Sequence, residues 1–111
     1  MENLIKCGNC GYTTEKDAFG EKCPKCGAPR EKFIELSEET SGKIRAADTT
    51  NDIHMDIVNL AMAIEELARE GIELDLDPGC VDAFEKAAQA AWEMKQISKA
   101  ELETHMHKNK W

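Results

Sequence analysis

Two short turns, Cys7-Gly8-Asn9-Cys10-Gly11 and Cys23-Pro24-Lys25-Cys26-Gly27, constrain this chain more than any other feature of it. A CxxC turn delivers two sulfurs to one metal ion from a single tight loop, and the glycine after it lets the backbone fold beneath the ion. Two such turns complete a tetrahedron. A single CxxC could be a redox dithiol, but a pair separated by twelve residues leaves too little chain for two independent domains. The four thiols therefore read as one metal site on Cys7, Cys10, Cys23 and Cys26.

Ligand type alone leaves the metal open, because soft thiolates in tetrahedral geometry suit both zinc and iron. Zinc in a closed four-sulfur cage is structural, with no open position and no redox chemistry. Iron in the same cage can carry one electron. Leu4 to Lys6 reads as a strand entering the first turn, and Phe33 to Leu36 as its returning partner. A ribbon of this size lacks a self-sufficient core, so a bound metal supplies part of its folding free energy.

The run Lys6-Cys7-Gly8-Asn9-Cys10-Gly11-Tyr12, followed by Glu21-Lys22-Cys23-Pro24-Lys25-Cys26-Gly27-Ala28-Pro29-Arg30-Glu31-Lys32-Phe33, resembles the short rubredoxin-like domain of rubrerythrins and related redox proteins. The resemblance covers the first third of the chain. It implies an iron centre on the four cysteines that relays single electrons, with Tyr12 and Phe33 as aromatics of a small core. Backbone amides from the two turns, including those at Gly11 and Gly27, are expected to hydrogen-bond to the sulfurs. Free-standing rubredoxins have a longer insert between the CxxC pairs and a tryptophan before the second, where this chain has Phe19 and Gly20. Shortened ribbons of this kind also resemble structural zinc ribbons.

With 111 residues, few aromatics and 32% charged residues, the chain suits a metal-stapled module joined to a small helical one. The expected class is a small α+β protein: residues 1–36 a rubredoxin-like or zinc-ribbon module, 37–48 a polar linker, and 49–111 an α-helical hairpin or three-helix region. Residues 1–33 carry six basic and five acidic side chains, and residues 34–111 carry eight and seventeen, so the helical part holds the excess negative charge. That balance argues against nucleic acid, which a ribbon would meet with a basic face. No apolar run approaches twenty residues and no cleavable leader is evident, so the expectation is no membrane span. Reduced thiols at a metal site point to the cytoplasm.

In the second part, Thr49 and Asp52 resemble a capping box. Ile53, Ile57, Leu60, Ile64 and Leu67 then recur at alternating four- and three-residue spacing, the pattern of a buried helical face. Gly71 stands where a left-handed cap would end that helix. Asp77-Pro78 supplies an N-cap and first-turn proline for a second helix, whose apolar stripe runs through Val81, Phe84, Ala88 and Ala91 and is widened by Trp92. Ser98 with Glu101 repeats the capping signal, giving either a separate short helix from Lys99 or a kinked continuation of the second. Two apolar stripes on so few residues leave surface for a partner, and a homodimer through the helices is expected.

A complete rubrerythrin has a carboxylate-bridged di-iron bundle, which needs ExxH pairs. The residues three before His54, His105 and His107 are Asn51, Leu102 and Thr104, so no such site is legible. Glu65 and Glu66 read as a solvated charged face, and His105 and His107 as exposed side chains near a frayed end. Cys80, in the first turn of the second helix, is either a small packing residue or a thiol whose ionisation the helix dipole favours. No catalytic constellation is present, which leaves an electron carrier with an unidentified redox partner or an interaction protein stapled by zinc.

Overall fold

The computed structural model describes residues 2–18 and 20–111; Phe19, expected in the position of the rubredoxin tryptophan, lies outside them. The fold is α+β. Three short strands, β1 (Ile5–Cys7), β2 (Thr13–Thr14) and β3 (Phe33–Glu35), precede two long helices, α1 (Glu38–Leu74) and α2 (Pro78–His107). The chain divides into two compact units, Met1–Ala46 and Ala47–Trp111.

In the first unit the strands form an antiparallel sheet in the order β2-β1-β3, with Ile5 opposite both Thr14 and Glu35. Along β1 the side chains alternate inward and outward as strand geometry requires: Ile5 and Cys7 are buried and Lys6 is exposed. Leu4 and Ile5 are the buried aliphatic residues of this unit, joined by Cys7 and Cys23. So thin a core cannot hold a sheet without further help. Some of that help is polar. The Leu4 N–H donates to the Ser41 hydroxyl at 2.9 Å, and Leu36 N–H donates to the Leu4 carbonyl at 2.8 Å.

Within the expected linker 37–48, residues 38–48 are already helical, as the first turns of α1. Ser37 accepts the Thr40 N–H at 3.0 Å through its side chain, and Glu38 and Glu39 occupy the first turn, where the helix dipole favours negative charge. Gly42 and the polar composition masked this signal. Thr49 and Asp52 consequently lie inside α1 and cap nothing.

In the second unit α1 and α2 run antiparallel: Asn51 bonds His105, His54 bonds Ser98, and Gly71 faces Phe84. α1 does not stop at Gly71, which is buried within it. It ends at Leu74, and Asp75 takes the left-handed conformation at φ 46°. The cap on α2 is as expected, with Asp77 accepting the Cys80 N–H at 2.7 Å and Pro78 following. α2 then continues unbroken to His107, so no separate helix begins at Lys99.

The seam between the helices is made mostly of small and polar residues: Ala47, Asn51, Ala61 and Ala68 from α1, and Ala91, Ser98 and His105 from α2, with Leu102 the one large aliphatic among the described buried residues of this unit. The α2 stripe through Phe84, Ala88 and Ala91 faces it. The α1 stripe from Ile53 to Leu67 does not, and each of its five members is exposed. The physical reason is close approach. A seam lined by alanines, with Gly71 against the Phe84 ring, lets the backbones come nearer than isoleucines and leucines would permit. His105 is likewise buried, contrary to its expected exposure, because its Nδ1–H donates to Asn51 Oδ1 at 2.5 Å. The Asn51 amide in turn donates to the Lys110 carbonyl at 2.7 Å.

Candidate metal centre

The two cysteine turns are built alike, bond for bond. Cys7 N–H donates to Tyr12 O and Cys23 N–H to Ala28 O, each at 2.8 Å. Gly11 N–H donates to Cys7 O and Gly27 N–H to Cys23 O, each at 2.9 Å. Gly11 and Gly27 adopt φ values of 84° and 78°, a region that favours glycine, which explains its place after each CxxC. A third close contact fixes the first turn to the chain entering β3: Gly8 N–H donates to Lys32 O at 2.9 Å, and a Cβ on Gly8 would lie 2.8 Å from that oxygen.

These turns bring together all four predicted ligands. The sulfurs of Cys7, Cys10, Cys23 and Cys26 lie within 4.8 Å of one another, with Cys7 to Cys26 at 3.7 Å and Cys10 to Cys23 at 3.6 Å. Metal–sulfur bonds of about 2.3 Å would place the corners of a tetrahedron about 3.8 Å apart, so the cage already fits one thiophilic ion. Among the described residues no other group of three or more metal-ligating side chains converges. Burial is graded across the cage: Cys7 and Cys23 are buried, Cys10 is half-buried and Cys26 is exposed.

The backbone donors that reach sulfur belong to the two turns, but they are not those of the glycines themselves. Gly11 and Gly27 spend their N–H groups on the carbonyls of Cys7 and Cys23, and the following residues serve the sulfurs instead. The Cys26 thiol is pulled down to about 6 by the Asn9 side-chain amide and the Ala28 N–H. Tyr12 N–H acts in the same direction on Cys10, but burial and hydrogen bonds with the other three sulfurs outweigh it and push that thiol up to about 12. Four sulfurs this close cannot all ionise on their own. A cation at their centre is what would allow it.

Around the cage, Arg30 donates to the carbonyls of Gly20, at 3.1 Å, and Lys16, which braces the insert between the CxxC pairs. Lys16 pairs with Glu35 on β3 and holds its carboxyl below the usual range. Tyr12 and Phe33 are half-buried. In the second unit Glu65 is less solvated than expected, its side chain 17% exposed and paired with Arg69 at 2.7 Å. Cys80 has no ionisation advantage, since the Asp77 carboxylate beside it raises its pKa. His107 is exposed.

A closed cage of four sulfurs on two matched turns of a small antiparallel sheet defines a rubredoxin-like metal module. Residues 6–34 match the family described as the rubredoxin-like domain of rubrerythrin, and this part of the chain is a rubredoxin-like domain of that type. The chain is also 30% identical over 78 residues to Reverse rubrerythrin-1 of Clostridium acetobutylicum. That alignment takes in 70% of this chain but 38% of the relative, so the chain spans well under half of that protein's length. Since the first unit ends at Ala46, the similarity extends into the helices. No solved structure matches the chain. No described helix is long and apolar enough to cross a membrane.

Proposed function

We propose that this protein is a one-electron carrier in the cytoplasm, whose redox centre is a single iron ion held by Cys7, Cys10, Cys23 and Cys26. The observation that carries the reading is the match of the cage and its flanks, residues 6–34, to the rubrerythrin-type rubredoxin-like domain. Iron in a four-thiolate cage moves between ferrous and ferric without changing its coordination, so the chain need supply no open site and no acid or base.

What the chain supplies is an electrostatic setting and an exit. Cys10 and Cys26, the two ligands nearest solvent, are also the ones that receive N–H donors, from Tyr12 and from Ala28 and Asn9. Those dipoles offset negative charge on the sulfurs, which favours the reduced centre. The buried Cys7 and Cys23 exclude water from the other side. Lys6, whose stem lies along the Gly11 turn, and the exposed Lys25 flank the cage with positive charge and suit an acidic redox partner.

A structural zinc centre is the second reading, favoured by the thin core that leaves the first unit dependent on its metal. Potentiometry of the iron-loaded protein separates them. A carrier gives a reversible couple with one-electron slope and no loss of metal over repeated cycles; release of iron on the first reduction would refute the proposal.

A further inference from the structure

The second unit turns its largest aliphatic side chains away from its own seam. Ile53, Ile57, Leu60, Ile64 and Leu67 each stand one position before a seam position, and their exposure runs from 37 to 66%. On α2 the positions one before the seam are Ala83, Ala87, Ala90, Met94 and Ile97, followed at the far end by Glu101 and Thr104, which precede Leu102 and His105. One residue is a rotation of about 100° around a helix, in the same sense on both. Because the helices are antiparallel, equal rotations carry both rows to the same side of the hairpin. The result is a two-helix face whose ten central positions carry no charge and which ends at Glu101, in a chain that is 32% charged.

We propose that this face is buried against the same face of a second copy, with the two-fold axis running along the helices. Three observations select a second copy. First, the face is self-complementary in shape: α1 contributes a ridge of isoleucine and leucine, and α2 contributes three consecutive alanine positions that form a trough. A two-fold along the helices lays each ridge over the other copy's trough, whereas a two-fold across them would stack ridge on ridge and leave the alanines facing one another. Second, the exposed aliphatic side chains amount to on the order of 700 Å² per copy, close to the roughly 800 Å² per partner of a stable interface. Third, most of the excess acid of this unit lies off the face, on Asp52, Glu66, Glu70 and Glu85 among others, with Glu101 at its end. Two acidic chains can therefore meet there without placing like charges in contact.

The axis also fixes the register. A rotation about it preserves height, so residues meet the second copy at the level where the hairpin already pairs His54 with Ser98 and Gly71 with Phe84. Leu60 then lies against the second copy's Met94, and Ile64 against its Ala90. The proposal is independent of which metal the first unit holds.

Sedimentation equilibrium of the metal-loaded full chain tests it. The expected mass is twice the 12.4 kDa of one chain at tens of micromolar. Leu60→Lys and Met94→Glu, each placing an unpaired charge in the interface, should each weaken the dimer at least 100-fold. Met62→Lys, on the opposite face, should leave it intact. An equal mixture of the Leu60→Lys and Met94→Glu chains should sediment as a dimer again with full helical circular dichroism, because the two new charges meet across the axis. That rescue reads the interface even where a single variant unfolds alone. A monomer at all concentrations, a dimer indifferent to Leu60→Lys, or a mixture that stays monomeric would each overturn the proposal.

Discussion

Gly71→Ala reverses its effect on stability according to what occupies position 84. Gly71 is buried inside α1, and a Cβ there would fall 2.5 Å from both Cδ2 and Cε2 of Phe84 and 2.8 Å from its Cγ. Two contributions oppose each other. Replacing glycine by alanine within a helix gains about 1 kcal/mol. Forcing an extra methyl into a packed seam costs about 1–3 kcal/mol. The Cγ atom decides the balance: it is bonded directly to the Cβ of Phe84, so the ring cannot swing away on a flexible tether and the helices must separate. A cost near the top of that range leaves a net loss of about 1–2 kcal/mol. In a Phe84→Ala background the ring and its Cγ are both absent, and the same change should stabilise by about 0.5–1 kcal/mol. The pair is thus coupled by about 1.5–3 kcal/mol. Urea unfolding followed by far-ultraviolet circular dichroism, at one fixed protein concentration, measures all four corners of the cycle. Gly71→Ala stabilising both backgrounds equally would show that Gly71 does not face Phe84, and the antiparallel seam would be wrong.

Replacing Cys10 or Cys26 with serine should abolish metal binding and collapse the sheet of the first unit, while the circular dichroism of the helical second unit persists; loss of both would show one shared core. Asp77→Ala removes the cap on α2 and should lower the thermal midpoint. Because its bond to the Cys80 N–H holds the Asp77 carboxyl below its usual 3.8, the cap's contribution is complete above that value. It fades as pH falls through the lower folded value, so wild type and variant should converge in acid. Asn51→Leu leaves the buried His105 Nδ1–H without its acceptor and should cost about 1–3 kcal/mol in the same unfolding assay.

The metal centre was legible because its determinants are local: two cysteines three apart, a glycine that must take positive φ, and a short insert between the repeats. The assignment of donors was not, since spacing says that amides lie near sulfur without saying that Gly11 and Gly27 give theirs to carbonyls. α1 shows a different limit. Its row from Ile53 to Leu67 and its row from His54 to Ala68 have the same period, so periodicity finds the helix but cannot say which row faces α2. Hydrophobicity favoured the row with the larger residues; close packing chose the row with the smaller ones, and only contact with α2 reveals it. The start of α1 was readable in Ser37 followed by two glutamates, a capping signal hidden by Gly42 and a polar composition. In the sequence Ser98 reads as a cap and His105 as exposed because their partners, His54 and Asn51, lie on the other helix, far away in sequence.

The identity of the metal tests the account most directly. Protein isolated from its native source, without a zinc-rich expression host, should contain one iron per chain and show red thiolate-to-iron bands. Dithionite should bleach those bands, and air should restore them with the iron retained. Colourless native protein with one zinc per chain and no reversible couple would contradict the electron-carrier reading and leave the cage as a structural staple.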